Sequence, residues 1–219
     1  MFNLLARGKQ LSSLLDIIPR TCPLCSARIT QQENLICDLC LQALPWNNNQ
    51  TSTAVTPLIS AFTYASPIKQ LILQGKSSKH LAKIQLLAEL LRAHFPNRIE
   101  ERPEAILPVP LHYQRLRERG FNQALELVRP LAKDLGLPLL IKEVIRQRYT
   151  DEQKKLAATE RQHNLAQAFQ LISPIHYKHI AIFDDVVTTG ATCAELEALL
   201  IDQGVEKVQI WCCAQTKMT

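Results

Sequence analysis

The chain has 219 residues and a mass of 24.8 kDa, and its 47% hydrophobic and 21% charged residues exclude wholesale disorder and fibrous repeats. Its 25 Lys and Arg against 20 Asp and Glu give a formal net charge of +5, which allows a nucleic-acid or phosphorylated ligand without requiring one. Charged residues interrupt every apolar stretch before the roughly 18 residues of a membrane span. We therefore expect no membrane span and a cytoplasmic protein.

The first 50 residues form a segment of their own, because four of the seven cysteines lie there. Spaced leucines and isoleucines in residues 1–19 predict an amphipathic helix packed on the protein, with a membrane-surface helix as the alternative. Two Cys-x-x-Cys pairs separated by eleven residues follow, and their members are Cys22, Cys25, Cys37 and Cys40. The polar residues 47–53 predict a linker or exposed loop, which places a domain boundary near residue 50.

The paired cysteines predict a structural zinc site in a small zinc-ribbon-like element. Each Cys-x-x-Cys turn points two thiolates at one centre, and two turns complete the tetrahedral sulfur shell of Zn²⁺. A closed four-sulfur site has no position for water, so its metal would supply folding free energy rather than catalysis. An iron–sulfur cluster, disulfides and free thiols are the alternatives. Zinc is favoured because no secretion signal is visible, which points to a reducing cytosol.

Residues 51–219 alternate between strand-like and helix-like stretches, which predicts an α/β domain with an open, mainly parallel sheet flanked by helices. Strands are predicted at residues 58–65, 105–109, 139–144, 168–172, 179–183 and 208–213. Helices are predicted at residues 67–75, from Ser77 or Ser78 to Pro96, and at residues 122–135 and 192–203. The three cysteines outside the pairs are interpreted as small buried residues; they are Cys193, Cys212 and Cys213.

The most specific signal is residues 180–192, where an apolar strand leads to two adjacent acids, Asp184 and Asp185. A Thr-Thr-Gly run then turns the backbone into a helix, whose first N–H groups converge as a phosphate cradle. Open α/β sheets bind ligands at this end of a parallel strand. An acid pair beside a phosphate site suits a sugar with vicinal hydroxyls, because carboxylates accept hydrogen bonds from both. The alternative is a strand end followed by a capping box of Thr192 and Glu195.

Residues 180–192 resemble the phosphoribosyl-pyrophosphate (PRPP) motif of type I phosphoribosyltransferases. Two further stretches resemble the ComF/GntX competence family. One is Pro-Val-Pro-Leu-His at residues 108–112 followed by Arg-Leu-Arg-Glu-Arg-Gly-Phe-Asn-Gln-Ala at residues 115–124. The other is the set Gln153, Leu156, Glu160, Arg161, Asn164, Ala168 and Phe169. With the cysteine pairs these motifs cover nearly the whole chain, which is identified as a member of that family: a phosphoribosyltransferase-type domain behind a zinc element.

The resemblance implies a PRPP site. Its PRPP-binding residues would be Asp184, Asp185, Val186, Val187, Thr188, Thr189, Gly190, Ala191 and Thr192, the acids holding the ribose hydroxyls and the loop the 5′-phosphate. The turn at Pro110, Leu111 and His112 would hold the pyrophosphate with Mg²⁺. Arg115, Arg117 and Arg119 would act as nearby cations, so the catalytic set is these arginines with the two acids. The resemblance identifies no phosphoribosyl acceptor and no general base, and it assigns no chemistry to Arg161, His163 or Asn164.

Two functions fit these motifs. The first is a Mg²⁺-dependent phosphoribosyltransferase with an unknown acceptor. The second is a non-catalytic protein of DNA uptake and natural transformation that contacts single-stranded DNA or a helicase-like partner, with a regulatory or vestigial PRPP pocket. Its basic contacts would be the three arginines above with Lys69, Lys76, Lys79 and Lys83. The intact acid pair and threonine loop predict PRPP binding under either function.

Overall fold

A computed structural model describes residues 21–29, 35–47, 51–53, 56–77, 80–148 and 168–216. The predicted N-terminal helix and residues 149–167 therefore lie outside the described residues. The chain divides into two compact units, Met1–Leu44 and Pro45–Thr219. The first unit contains the helix α1 (Asp38–Gln42), and the second contains the sheet.

The second unit is an α/β unit with a five-stranded sheet and a separate two-stranded sheet. Its strands are β1 (Thr51–Thr53), β2 (Thr56–Thr63), β3 (Ala105–Pro108), β4 (Val144–Arg146), β5 (Phe169–Leu171), β6 (His179–Val187) and β7 (Lys207–Gln215). Its helices are α2 (Ile68–Gln74), α3 (Leu81–His94), α4 (Tyr113–Arg119), α5 (Gln123–Leu135) and α6 (Ala191–Asp202). The sheet order is β1-β2-β7-β6-β3, and only β1 is antiparallel to its neighbour. The predicted mainly parallel sheet is confirmed.

Helices cover both faces of this sheet, which explains why its central strand is a continuous apolar run. Residues 180–183 of β6 are all buried, as expected for a parallel strand with no face in water. On one face Ile180 and Ile182 pack in a cluster with Leu196 and Leu200 of α6. On the other face Phe95, which follows α3, contacts Trp211 of β7 with ring centroids 5.2 Å apart. The carboxyl ends of β3, β6 and β7 therefore meet at one edge between two layers of helices.

Several predicted boundaries were wrong for identifiable reasons. β6 continues to Val187, so the acid pair lies in the strand, because both β6 and β7 extend their pairing to that point. Of the strand predicted at residues 139–144, only Val144 lies in a strand, as the first residue of β4. Leu139 makes only an isolated bridge to Ile106. α3 begins after His80, whose N–H donates to the Ser77 carbonyl in a preceding turn. The helix α4 was not predicted at all.

The polar stretch at residues 47–53, predicted as a linker, joins the sheet in its described part. The Asn47 N–H donates to the Ala61 carbonyl (3.0 Å), and the Asn47 side-chain amide donates to the Ser60 hydroxyl (3.2 Å). Residues 51–53 form β1, the edge strand. The composition was misleading here because pairing at a sheet edge uses backbone groups that every non-proline residue carries.

Among the described residues, no helix is both long enough and apolar enough to cross a membrane. The 14-residue α3 carries Lys83, Glu89 and Arg92 among its apolar residues.

Candidate functional site

The acid pair lies near the carboxyl end of the central strand. Asp184 is opposite Cys212 in the register of β6 and β7. Because successive strand residues point to opposite faces, Asp184 shares the α6 face with Ile182, whereas Asp185 shares the other face with Phe183. Each carboxylate accepts a hydrogen bond from the N–H of the next residue, at 2.8 Å for Asp184 and 2.9 Å for Asp185. These two bonds fix the orientation of both carboxylates at the sheet edge.

The environment of Asp184 disfavours its charged form. Burial raises the pKa of this carboxyl well above its usual range, and the adjacent charge of Asp185 raises it further. The charge of Arg146 acts in the opposite direction and lowers the pKa. A ligand that donates hydrogen bonds to the Asp184 carboxylate would stabilise its charged form and offset the cost of desolvation. We expect such an arrangement of a carboxylate in a binding site.

The turn after β6 leaves open space at the start of α6. Gly190 is the N-cap residue with φ +77°, and a Cβ placed on it would meet no atom within 4 Å. The backbone N–H groups of the first helical turn have no intrahelical partner, although the Ala191 N–H donates to the Thr189 hydroxyl at 3.4 Å. An open cleft here is lined by Asp184 and residues 186–193. The geometry provides converging donors next to two carboxylate acceptors.

The capping-box alternative for this turn was wrong. The N-cap of α6 is Gly190, and no side chain caps it. Glu195 instead accepts a hydrogen bond from the Ala168 N–H at 2.5 Å and so ties α6 to the start of β5. The Thr192 and Glu195 spacing matches the capping motif, but tertiary contact has taken the glutamate.

The turn after β3 lies beside the acid pair. The Val109 N–H donates to the Phe183 carbonyl at 2.8 Å, which ties this turn to β6. His112 follows as the N-cap of α4, where its Nδ1 accepts from the Gln114 N–H at 3.3 Å and its ring is buried against Tyr113. The predicted pyrophosphate turn, Pro110 to His112, is thus at the same sheet edge as the predicted phosphate loop.

The three predicted arginines follow on a helix rather than on a loop. Arg115 and Arg119 are four residues apart on α4 and share one face, where both are half-buried. Arg117 lies two residues from each, on a different face, and is exposed. The helix therefore brings two of the arginines together and separates the third. Arg161, His163 and Asn164 lie outside the described residues.

Arg146 is a residue near the site that the sequence interpretation missed. It forms a parallel backbone bridge with His112. Its guanidinium lies 5.5 Å from the centroid of the Phe169 ring, and its charge acts on Asp184. The available sequence signal was a cation two residues after Val144, the last residue of the strand predicted at residues 139–144.

The three unpaired cysteines are buried, as predicted. Cys193 is 1% exposed, and Cys212 and Cys213 are fully buried. Burial raises the pKa of each thiol, so all three are held in the neutral form that behaves as a small apolar group.

The four paired cysteines form a centre that can bind a metal ion. Their Sγ atoms all lie within 4.8 Å of one another, and those of Cys25 and Cys37 are 3.6 Å apart. Tetrahedral zinc with Zn–S bonds of about 2.3 Å needs sulfur atoms about 3.8 Å apart, so the donor set fits zinc. The first pair lies on a turn closed by the Ser26 N–H to the Cys22 carbonyl (2.8 Å). Cys37 precedes α1 as its N-cap residue, which directs Cys40 back to the same centre.

The backbone around this centre favours a thiolate at one position. Burial opposes ionisation of Cys22, but backbone N–H groups, that of Cys37 foremost, lower its pKa to about 6. Burial and the neighbouring cysteines raise the pKa of Cys40. Four sulfurs at this distance cannot all ionise without a cation between them, which is the condition that a bound metal satisfies.

Comparison with known proteins finds clear relatives. The DNA utilization protein YhgH of Escherichia coli (strain K12) is 37% identical over 202 residues, which cover 89% of this chain and 84% of that protein. Competence protein F of Haemophilus influenzae is 43% identical over 112 residues, covering 50% and 49%. Competence protein ComFC of Bacillus subtilis is 25% identical over 203 residues, covering 88% and 76%. No family model matches the chain.

The solved structures that match do so weakly. An adenine phosphoribosyltransferase from Leishmania tarentolae covers 77% of this chain and 95% of its own at 12% identity, with a TM-score of 0.39. At this similarity the structural comparison carries no argument about the chain.

Replacing Asp184 with Asn should stabilise the protein at neutral pH. Because folding raises the pKa of Asp184, the folded state holds this proton more tightly, and the free energy of unfolding falls as pH rises above the unfolded pKa of about 4. The asparagine variant escapes this loss, so we expect it to gain on the order of 1 kcal/mol at about pH 8. The gain should shrink as pH is lowered toward about 4. Urea unfolding at about pH 5 and pH 8 measures it.

Asp202→Asn is the matched control, because it removes an exposed acid from the end of α6, the helix that follows β6. An Asp184→Asn protein that is less stable than wild type at pH 8 would contradict this account of the carboxyl.

Proposed function

The chain belongs to the family of the DNA utilization protein YhgH, and we propose that it is a PRPP-binding protein of the phosphoribosyltransferase type that acts in DNA uptake. The relatives named competence protein F and ComFC confirm the resemblance to the ComF/GntX family that the motifs predict. One observation carries the proposal: two carboxylates at the end of β6 lie directly before an open glycine turn and the N-terminus of α6.

The charges at this edge complement the two kinds of group in PRPP. Ribose hydroxyls need acceptors, and Asp184 and Asp185 supply four carboxylate oxygens between them. The 5′-phosphate needs donors, which the N–H groups at the start of α6 and the hydroxyls of Thr188, Thr189 and Thr192 supply. The open space beside Gly190 is where the phosphate would approach the backbone. The carboxylate acceptors would therefore bind the ribose hydroxyls, and the N–H and hydroxyl donors would bind the 5′-phosphate.

The pyrophosphate end would lie at the turn from Pro110 to His112. Mg²⁺ binds chiefly through substrate phosphates and retained waters, so the chain needs to supply few ligands of its own. When bound, the ion neutralises charge that accumulates on the departing pyrophosphate. Arg115 and Arg119 can add to that neutralisation from one face of α4, whereas Arg117 on another face is the weakest member of the predicted set.

We further propose that the protein catalyses transfer, although its acceptor is unidentified. The C1–O bond to pyrophosphate would break with its electron pair leaving on pyrophosphate, and an acceptor atom would bond to C1. The two acids hold the ribose while positive charge develops on it, and the phosphate loop fixes its other end. Among the described residues we assign no general base, and the proton of the attacking group would pass to solvent or to one of these acids.

The four-cysteine centre is proposed to hold structural zinc. All four donors are sulfur and leave no position for water, which excludes a catalytic role for the ion. Four thiolates with one Zn²⁺ change the formal charge of +5 to about +3. The zinc element would then serve as a binding surface. Its predicted partner is a helicase-like protein or single-stranded DNA.

Purified, reduced protein should contain about one equivalent of zinc by elemental analysis. Cys37→Ser should lose it and unfold residues 21–44 while sparing the sheet unit, because the metal supplies the folding free energy of this element. Cys193→Ser, a cysteine buried elsewhere, is the control that should keep its metal. Less than about half an equivalent in wild type, with no structural change on chelation, would refute the zinc proposal.

Replacing both acids with Asn should weaken Mg²⁺–PRPP binding by roughly two to four decades. Each charge-assisted hydrogen bond is worth about 1.5–3 kcal/mol, and a decade of affinity is about 1.4 kcal/mol. Gly190→Val should do comparable damage, because its side chain fills the open space and resists the φ of +77°. Calorimetric titration is the measurement, with Gly204→Val, another positive-φ glycine remote from the cleft, as the control. Wild-type affinity in the double asparagine variant would show that the site is misassigned.

Contact with single-stranded DNA is the second candidate function, favoured by the names of the relatives and by the net charge. Lys69 and Lys83 lie on α2 and α3 with Lys76 between those helices, and Lys79 lies outside the described residues. A net charge of about +3 to +5 neutralises few phosphates, so binding should be weak and its salt dependence shallow.

Reversing Lys69, Lys76 and Lys83 to Glu should abolish binding to a fluorescent oligonucleotide in an anisotropy titration. The matched control is reversal of Lys133 and Lys142, two exposed lysines elsewhere. Binding that is unchanged from about 0.05 to 0.3 M salt, or that survives the triple reversal, would contradict an electrostatic contact.

A further inference from the structure

The antiparallel pair of strands β4 and β5 has one inward face that carries a single charged residue. Val144 pairs with Leu171 and Arg146 pairs with Phe169, so these four side chains share a face. Val144 and Phe169 belong to the core cluster with α6, and Leu171 packs against it. Ile145 and Gln170 occupy the other, exposed face. The guanidinium therefore lies on the face that is turned toward the sheet.

Arg146 is held at a junction of three elements. Its backbone bridges to His112, which starts α4 after the turn from Pro110. Its side chain lies against the Phe169 ring at 5.5 Å, and its charge reaches Asp184 on β6. An arginine that is anchored through backbone and ring keeps its planar fork in one place, which suits two-point contact with a phosphate.

We propose that Arg146 binds the pyrophosphate end of PRPP, so that strand β4 forms one wall of the ligand site. This rests on the proposed PRPP function and deepens it. The location supports this assignment, because Arg146 bridges through its backbone to His112 of the pyrophosphate turn and its charge also acts on Asp184. Arg146 would also supply positive charge to the site. The two acids would bind the ribose, and a cation is needed beside the anionic pyrophosphate leaving group.

A purely structural role predicts something different. If Arg146 served only as the counter-charge of Asp184, its loss would disturb ribose binding and would act on every ligand that contains the sugar phosphate. If it contacts pyrophosphate, its loss affects only ligands that carry that group. The two roles are separated by comparing ligands with and without pyrophosphate.

Calorimetric titration of the full chain with Mg²⁺–PRPP, Mg²⁺–pyrophosphate and ribose 5-phosphate makes this comparison. Arg146→Gln should weaken the first two ligands by about 10- to 100-fold, the effect of losing one charge-assisted contact, and change ribose 5-phosphate by less than about twofold. Arg146→Lys should fall between the variant and wild type, because it keeps the charge and loses the fork. The control is Arg129→Gln, an exposed arginine on α5 paired with Glu126, which should match wild type.

Unchanged PRPP affinity in Arg146→Gln would overturn the proposal, and so would an equal loss for all three ligands. If circular dichroism shows that this variant does not fold, Arg146→Lys decides, and wild-type affinity of the lysine variant for all three ligands would overturn it. If wild type binds neither PRPP nor ribose 5-phosphate, the proposed function fails. Binding of Mg²⁺–pyrophosphate that depends on Arg146 would then still support the anion contact, and its absence would overturn both.

Discussion

Parallel pairing of β6 with β3 on one side and β7 on the other brings the carboxyl ends of three strands to one edge of the sheet. The turn after β3 and the glycine turn after β6 are neighbours for that reason alone. Antiparallel pairing of β3 with β6 would send one of these turns to the opposite edge. The hydrogen bond from the Val109 N–H to the Phe183 carbonyl extends the parallel pattern into the turn itself and holds the two candidate loops in register.

The same pairing places charge where the fold does not favour it. Asp184 follows four buried residues on a strand that is covered by helices on both faces, so its carboxylate is partly desolvated. The fold offers it one backbone N–H and the charge of Arg146 in return. A fold selected for stability alone would place an apolar residue at this position. The cost is understandable if the carboxylate has to meet a ligand that donates hydrogen bonds.

The metal centre solves a separate problem in a separate unit. Among the described residues of the first unit, the buried apolar side chains are Cys22, Ile36 and Leu44. The four cysteine sulfurs converge within 4.8 Å, so the zinc proposed above would add coordination bonds to the hydrophobic contacts of this small unit. Leu39 on α1 is 78% exposed and adds nothing to that burial.

Features that depend only on residues close together in the chain could be predicted from the sequence alone. Two Cys-x-x-Cys pairs specify a four-sulfur centre through ligand type and spacing, and an apolar strand followed by acids and a Thr-Thr-Gly turn specifies a strand end before a helix. Asn122 and Gly136, the caps of α5, were recognisable for the same reason, since their side-chain acceptor and positive φ act within a few residues. The type of each element follows from patterns that a short window contains.

Contacts between residues that are far apart in the chain could be identified only from the folded structure. In the folded chain Glu195 accepts from the Ala168 N–H instead of capping α6, and residues 51–53 pair at the sheet edge. The arginines of α4 lie on different faces of the helix. Arg146 bridges to His112, and its charge acts on Asp184. Each of these contacts joins residues that are far apart in the chain or depends on a helix that no local signal announced. Their energies arise only when strand order closes the intervening loops, and strand order is a property of the whole sheet rather than of any one segment.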